Sequence, residues 1–217
     1  MKVIIAIATF KGREPYLKKA IQSLVGQADE IRIYDNEKRF IDLTDNGKFY
    51  FLHEYKEPIY YFTCDDDIIY PPTYVQDMIE AIERTGTIVT HHGRILQGFG
   101  LRYYSGHKSV HCLKDNNYEG MVHVAGTGVT AFRTDYFNPI DIWASSDKRM
   151  SDLVFSLAAA KEGKKITALK HKRGYFQYQN VPLSQTIWGQ QHSKDERQSE
   201  LADEVLALFP LTPNSKP

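Results

Sequence analysis

Three consecutive aspartates, Asp65, Asp66 and Asp67, follow the apolar segment 59–64 and are the residues most suited to chemistry. Adjacent carboxylates repel one another at neutral pH, so a strand that ends in them needs a counter-charge. A hard divalent cation such as Mg²⁺ or Mn²⁺ can supply it, because these ions prefer oxygen ligands. Side-chain alternation directs Asp65 and Asp67 to one side and Asp66 to the other. The triad predicts a metal site that also contacts a nucleotide; the alternative is an exposed acidic turn before the helix near Pro71.

The cysteines and histidines give weaker indications. The spacing of Cys64 and Cys112 suggests neither a disulfide framework nor a metal-binding pair, which favours a reducing, cytoplasmic compartment. His91 and His92 have no partner set at a spacing typical of zinc sites. We therefore interpret this pair as part of a cleft wall at most.

The elements that must position these residues alternate between strand and helix. Residues 3–8 are continuously apolar, which indicates a strand buried on both faces and not a signal peptide. A helical pattern over 17–24 and a strand pattern over 30–34 follow. This order predicts a parallel sheet with helices on its faces. Further strands are predicted over 59–64, 87–90, 122–124, 129–132 and 166–169, and further helices from Pro71 and over 151–162. A polar loop is predicted over 37–48. Residues 91–120 are predicted to form strands and loops around a cleft.

The composition limits the classes of function. A chain of 217 residues with 42% hydrophobic and 12% aromatic residues is typical of a soluble globular domain with a buried core. Its 27 basic residues balance its 27 acidic residues, which argues against a nucleic-acid partner. The sequence has no apolar run of about 18 residues, so it predicts no membrane span.

The order of these motifs resembles glycosyltransferase family 2. The resemblance rests on residues 6–13, 17–24 and 31–36 and most specifically on the three aspartates, and it covers residues 1 to about 175. It implies an α/β fold of the GT-A type, a Rossmann-like single domain whose mostly parallel central sheet is flanked by helices. It also implies inverting sugar transfer from a nucleoside-diphosphate sugar, with a UDP-sugar as the expected donor and Mn²⁺ or Mg²⁺ as cofactor.

The resemblance also places residues around the donor. It puts Asp67 on the metal, Asp65 near the ribose and Asp35 near the base or ribose. The donor-site residues that it implies are Thr9, Phe10, Arg13, Asp35, Asp65 and Asp66.

The chain departs from the family after its second strand. Family members usually have a longer acidic stretch where this chain has only Tyr34, Asp35 and Asn36. Asp45 and Lys48 either complete the pocket, with Lys48 facing phosphate or base, or belong to a surface turn.

Asp152 is the expected general base. Inverting transfer needs a base that takes the proton of the acceptor hydroxyl, and the family places an aspartate at the start of a late helix in that role. Asp152 occupies the matching place, although family members more often have a second acidic residue at the position of Ser151. The structural alternative is a first-turn acid that stabilises the helix N-terminus. Asp147 is the alternative base.

Two other segments are candidates. By resemblance His171, in the basic run 170–173, is a third metal ligand or a phosphate contact. The alternative is a solvated basic turn, which serves solubility or attracts the chain to an anionic membrane surface. Gly126 and Gly128, on either side of Thr127, permit close approach of a sugar to the backbone or form a hairpin turn.

We expect one domain over residues 1–209, which the C-terminal helix completes. Its parts are a nucleotide-sugar-binding half (1–90), an acceptor and catalytic half (91–175), an extension (176–209) whose helix begins at a capping box of Ser193 and Glu196, and a loose tail (210–217). The resemblance implies a glycan or lipid-linked acceptor in the synthesis of bacterial capsule or lipopolysaccharide. The expected location is the cytoplasm, or the inner face of the membrane.

Two alternative functions share this architecture. A sugar nucleotidyltransferase would have a glycine-rich first loop, whereas this chain has only Gly12 after its first strand. A catalytically inactive sugar-nucleotide-binding module would not need Asp65, Asp67 and Asp152 together. Neither a dinucleotide-binding Gly-x-Gly-x-x-Gly motif nor a phosphate-binding Gly-Lys-Ser/Thr loop follows the first strand.

Overall fold

Alternating strands and helices in the first half of the chain build a parallel sheet, as the sequence predicts. The computed structural model describes residues 1–187, 189 and 195–209. The strands are β1 (Lys2–Thr9), β2 (Glu30–Asp35), β3 (Ile59–Cys64), β4 (Ile68–Ile69), β5 (Ile88–Thr90), β6 (Gly93–Leu96), β7 (His107–Val110), β8 (Gly120–Val122), β9 (Val124–Ala125), β10 (Val129–Arg133), β11 (Ile166–Ala168) and β12 (Gln177–Tyr178). The helices are α1 (Glu14–Leu24), α2 (Tyr74–Thr85), α3 (Ser151–Lys161) and α4 (Glu196–Leu208), with 3-10 segments at Thr44–Glu54, Ile142–Ala144 and Leu183–Gln185.

The central sheet has seven strands in the order β2-β1-β3-β10-β5-β11-β8. β1 pairs in parallel with both β2 and β3, and β5 pairs in parallel with β11. β10 and β8 run against their neighbours. Five of the seven strands therefore share one direction, and the predicted α/β, mostly parallel, Rossmann-like architecture is confirmed.

Both faces of the sheet are covered, which explains the unbroken apolar run of β1. Ile5 and Ile7 pack into a core with Met78 of α2. Ile4 and Ala6, whose side chains point the opposite way, pack into a second core with residues of the 3-10 segment and α3. A strand between two cores needs apolar residues at every position.

The segment that follows β2 differs from the prediction. The sequence indicated a polar loop over 37–48, but a 3-10 helix begins at Thr44 and continues to Glu54. Phe49 and Phe51 of this helix are buried, and Phe49 stacks on Phe155 of α3 with ring centroids 5.4 Å apart. These aromatic anchors pull the preceding polar residues below the surface, so that Asp45 and Lys48 are buried. The alternative prediction, a surface turn at Asp45 and Lys48, is therefore wrong.

The segment 91–125 forms a small second sheet. Its strand order is β7-β6-β9, all antiparallel. The strand predicted over 122–124 is divided at His123, because β8 joins the central sheet and β9 joins the small one. The small sheet thus stands beside the carboxyl end of β5 and supplies one wall of the site described below.

The C-terminal part returns to the acidic turn. β12 pairs with β4, and Gln179 N donates to the carbonyl of Asp67 at 3.0 Å. The predicted last helix is present as α4, which packs against α3. Ser193 of the predicted capping box and the predicted tail 210–217 lie outside the described residues. Among the described helices, none combines the length and the apolar character needed to cross a bilayer.

Candidate active site

A cleft of about 570 Å³ opens beyond the carboxyl ends of the parallel strands. Phe10 and Arg13 reach it from the end of β1, the aspartate triad from the end of β3, and His92 from the end of β5. The chain leaves β1 towards β2 on one side and returns to β3 on the other. This topological switch point is where open α/β sheets bind their ligands.

Arg13 and Asp66 form a buried ion pair at the base of the cleft. Their side chains are only 7% and 3% exposed. Asp66 accepts hydrogen bonds from Thr9 Oγ1 at 2.7 Å and from Arg13 Nε and Nη2. Burial alone lowers the pKa of Arg13, but its contacts with Asp66 and Asp67 outweigh burial and the net shift is upward. Asp66 is therefore an anchor of the turn, with its oxygens bonded to protein donors.

Lys48 reaches the triad from the 3-10 segment and pairs with Asp65. Burial lowers the pKa of Lys48, but the neighbouring Asp65 and Asp45 carboxylates raise it by more, so the net shift is upward and the amine stays charged. Arg13 also donates to Asp67 Oδ2 at 2.8 Å. The sequence analysis assigned the counter-charge of the triad to a metal ion, whereas in the structure two cations of the chain already supply part of it.

Within the part of the chain that the structure describes, carboxylates outnumber their paired cations at the triad. Asp65, Asp66 and Asp67 share two cationic partners there, Arg13 and Lys48. Burial and the charge of Asp65 raise the pKa of Asp67 to about 6, although Arg13 acts in the opposite direction. Crowded oxygens with excess negative charge are a suitable donor set for a hard divalent cation, and Asp65 and Asp67 both line the cleft.

Asp152 lines the opposite side of the cleft, at the start of α3. Its Oδ1 accepts hydrogen bonds from both Thr127 N and Thr127 Oγ1 at 2.8 Å. Its Oδ2 lies 3.5 Å from Arg94 Nη1, and the side chain is one-third exposed. Arg94 is itself held over the ring of Tyr103 at 4.5 Å. The carboxylate is thus hydrogen-bonded through Oδ1, while Oδ2 faces Arg94 at the side of the cleft.

Asp45 connects the two sides of the cleft. Its Oδ2 accepts a hydrogen bond from Ser151 N, the first residue of α3, at 2.9 Å. A carboxylate at this position accepts a hydrogen bond from a free amide at the helix N-terminus and interacts favourably with the helix dipole. The 3-10 segment that carries Lys48 is therefore tied to the helix that carries Asp152.

Most of the predicted site residues come together in this one cleft. Those that line it are Phe10, Arg13, Asp45, Lys48, Asp65, Asp66, Asp67 and Asp152. Thr9 lies directly behind Asp66, to which it donates. Asp35 lies at the end of β2, outside this lining, where its Oδ2 pairs with Lys38 at 2.8 Å.

His171 and Asp147 lie outside the lining of the cleft. His171 is buried, with Nδ1 3.1 Å from the carbonyl of Leu169 and Nε2 3.2 Å from that of His111. His171 Nδ1 also lies 3.2 Å from His91 Nδ1, so both ring nitrogens contact other groups of the chain. Asp147 forms a two-point ion pair with Arg197, at 2.9 Å for each contact, which lowers the pKa of the aspartate.

The sequence predicted strands and loops around a cleft over 91–120, but of the wall that the small sheet contributes it singled out His92 alone. This wall includes Arg94, Tyr103, Tyr104, His92, His111 and Cys112. Cys112 has no metal-ligand partner by sequence spacing, yet donor atoms of His92, His111 and Cys112 lie within 4.8 Å of one another. Burial raises the pKa of the Cys112 thiol to about 12, so this thiol is not a ready nucleophile at neutral pH. The clustering of histidine and tyrosine over 91–111 was the one available signal in the sequence.

The glycines beside Thr127 make room for side chains of the cleft. A Cβ on Gly128 would lie 1.9 Å from Asp65 Oδ2, and one on Gly126 would lie 2.7 Å from the ring of His92. The space beside these glycines, which we predicted for a sugar, is thus occupied by the side chains of Asp65 and His92. Thr127, between them, holds Asp152.

Comparisons with known proteins leave the family open. No family model matches the chain, and no curated protein matches it. Solved structures similar to it include the crystal structure of A197 from STIV, with a TM-score of 0.43 and 15% identity over 78% of this chain and 82% of that one. They also include the inositol-1-phosphate CTP transferase from T. maritima, with a TM-score of 0.38 and 12% identity over 94% and 77%. Similarities of this size assign no activity, and the resemblance to glycosyltransferase family 2 stays a prediction.

Proposed function

We propose that this protein is a metal-dependent glycosyltransferase that moves a sugar, with inversion, from a nucleoside-diphosphate sugar to an acceptor hydroxyl. The observation that carries the proposal is the composition of one cleft. An acidic triad with two cations, at the switch point of the sheet, faces a carboxylate that Thr127 holds in place. These are the parts that sugar transfer needs, because one side must hold a diphosphate while the other accepts a proton.

The donor side has the charge and size for a nucleotide sugar. The cleft volume of about 570 Å³ lies within the usual range of small-molecule sites. Lys48 and Arg13 offset most of the charge of the triad at its base, so that a bound divalent cation would leave the site attractive to a diphosphate that gains negative charge as the sugar departs. Phe10 adds an aromatic surface at the end of β1. We propose a UDP-sugar as the donor.

Asp65 and Asp67 are the residues that would hold the metal. Their oxygens suit Mn²⁺ or Mg²⁺, and the excess negative charge at the triad favours a cation there. Such an ion supplies electrostatic stabilisation of the diphosphate leaving group. His171 is left out of the proposed site because its ring nitrogens contact backbone carbonyls.

Asp152 is the proposed general base. The acceptor oxygen attacks the anomeric carbon, the bond from that carbon to the diphosphate oxygen breaks, and the hydroxyl proton moves to the Asp152 carboxylate. The two hydrogen bonds from Thr127 fix the orientation of this carboxylate. Arg94, Tyr103 and Tyr104 line the adjacent wall, which we propose as the binding surface for a glycan or lipid-linked acceptor.

The proposal is tested first by binding. In a thermal-shift screen of nucleoside-diphosphate sugars with and without Mn²⁺, we expect one donor class to stabilise the protein only when Mn²⁺ is present. A donor at 100 times its Kd adds about 2.7 kcal/mol to the free energy of unfolding. Equal stabilisation by every nucleotide, or by none, would contradict the proposal.

Asp67→Ala is expected to abolish the Mn²⁺-dependent part of this stabilisation while the fold survives. The substitution removes the proposed ligand and the contact of Asp67 with Arg13, but it also relieves repulsion within the triad and leaves Arg13 paired with Asp66. Asp135→Ala, which removes an exposed carboxylate paired with Arg133, is the matched control and should keep the full response. An unchanged Mn²⁺ response in Asp67→Ala would remove Asp67 from the metal site.

Gly128→Ala is expected to displace Asp65 and weaken donor binding by about tenfold, the equivalent of one charge-assisted hydrogen bond. The added Cβ occupies the position of Asp65 Oδ2, and this flexible side chain can move aside without a large cost in stability. Gly98→Ala is the control, because its Cβ has an ordinary nearest contact of 3.7 Å. Isothermal titration of the donor measures both variants, and wild-type affinity in Gly128→Ala would show that the Asp65 position is not used.

A further inference from the structure

A second group of potential metal ligands lines the same cleft and differs chemically from the aspartate triad. It consists of His92, His111 and Cys112, whose donor atoms all lie within 4.8 Å of one another. The rings of His92 and His111 are 4.9 Å apart and inclined at 64°. All three residues line the cleft. The mechanism proposed above uses none of them.

The pairing of the small sheet brings these residues together. β6 and β7 are antiparallel, with Gly93 opposite Val110. One residue beyond this pair, the same register places His92 opposite His111, and Cys112 follows at once. On the other side Gly126 N donates to the carbonyl of His92 at 2.7 Å. The backbone thus fixes the position of the cluster on both sides of His92.

The side chains are available as ligands. Cys112 is a free cysteine. His111 Nδ1 accepts a hydrogen bond from Leu113 N at 3.2 Å, so this nitrogen presents its lone pair, the form in which imidazole binds metals. An ion at Nδ1 would replace this single local bond.

We propose that His92, His111 and Cys112 bind one Zn²⁺ ion, with a fourth position open to the cleft. Thiolate and imidazole are ligands that zinc prefers, whereas Mn²⁺ and Mg²⁺ prefer the oxygens of Asp65 and Asp67. Donor atoms around tetrahedral zinc are about 3.5 Å apart, so shifts of about 1 Å close the site. On binding, the thiol proton leaves to solvent and the sulfur bonds to the ion.

The zinc ion would cross-link two parts of the cleft wall. His92 follows β5 directly, while His111 and Cys112 follow β7. Water or a bound substrate completes the coordination at the open position. The proposed site depends only on these three side chains, so it stands or falls independently of sugar transfer.

Cobalt substitution tests the site on the full-length protein. Chelator-treated protein is titrated with Co²⁺, and we expect one equivalent to give intense tetrahedral d–d bands together with a thiolate-to-cobalt charge-transfer band. Zn²⁺ should then displace Co²⁺ and remove both signals. Weak octahedral bands without the charge-transfer band in the wild-type protein would overturn the proposal, whatever the behaviour of the variants.

Variants identify the ligands. Cys112→Ser should remove the charge-transfer band, and His92→Ala and His111→Ala should each weaken Zn²⁺ binding at least tenfold, about the smallest cost of losing even an outer-shell partner. Cys64→Ala removes the other cysteine and His53→Ala an exposed histidine, and both should bind as wild type. Retained binding in Cys112→Ser, with loss in Asp67→Ala, would assign the ion to the triad and overturn the proposal.

Discussion

Asp152→Asn is expected to reduce the rate of sugar transfer by about 10²–10⁴-fold, the usual effect of losing a positioned base. The amide keeps an oxygen that can accept both hydrogen bonds from Thr127, so the start of α3 should be unchanged. It cannot take the proton of the acceptor hydroxyl. Donor affinity should stay within about twofold of wild type, because Asp152 lies across the cleft from the diphosphate position.

Steady-state transfer rates and donor titrations on the same variant measure this separation of chemistry from binding. Asp147→Asn is the matched control, because its carboxylate is engaged with Arg197 outside the cleft lining. It should keep the transfer rate and lose at most about 1 kcal/mol of stability. If donor affinity collapses in Asp152→Asn, or if Asp147→Asn loses the rate, the assignment of the base is wrong.

Arg13→Ala is expected to destabilise the fold by about 3–5 kcal/mol, the cost of leaving one partner of a buried ion pair alone. Among the described residues, Thr9 is the side-chain donor that Asp66 would keep while it stays buried beneath the cleft. Asp67 would lose its cationic neighbour as well. Arg13→Ala should therefore have a lower urea midpoint of unfolding, while the slope of the free energy of unfolding against urea concentration stays unchanged.

The control for this variant is Arg133→Ala. Arg133 also pairs with two carboxylates, Glu83 and Asp135, but these pairs are at the surface and typically contribute less than about 1 kcal/mol. A double variant, Arg13→Leu with Asp66→Leu, should recover part of the loss, because it removes both charges. Equal destabilisation by Arg13→Ala and Arg133→Ala would show that burial of the Arg13–Asp66 pair adds little to the cost of breaking it.

The sequence predicted the parallel part of the sheet because its signals are local. The apolar run before Thr9, the helical pattern of α1 and the strand that ends at the triad each determine one element. The resemblance to glycosyltransferase family 2 implied that Asp65, Asp67 and Asp152 serve one site. The structure confirms this architecture and brings these side chains together.

The partners of these residues could not be predicted, because they depend on long-range packing. Asp66 meets Arg13 across 53 positions, and Asp45 meets Ser151 across 106. The buried 3-10 segment had no helical periodicity and many polar residues, and its anchor Phe49 packs against Phe155 of the distant helix α3. His92, His111 and Cys112 meet through strand register, which spacing along the chain does not reveal.

Transfer of a sugar from a nucleoside-diphosphate sugar is the activity that we propose for this cleft. The most direct measurement incubates the protein and Mn²⁺ with UDP-sugars, and separately with nucleoside triphosphates plus sugar 1-phosphates, and identifies the released product. We predict release of UDP in the first reaction, dependent on Asp67 and Asp152, and no pyrophosphate in the second. Pyrophosphate release that survives Asp152→Asn would contradict the account and identify a nucleotidyltransferase, and donor binding without any product would identify an inactive binding module.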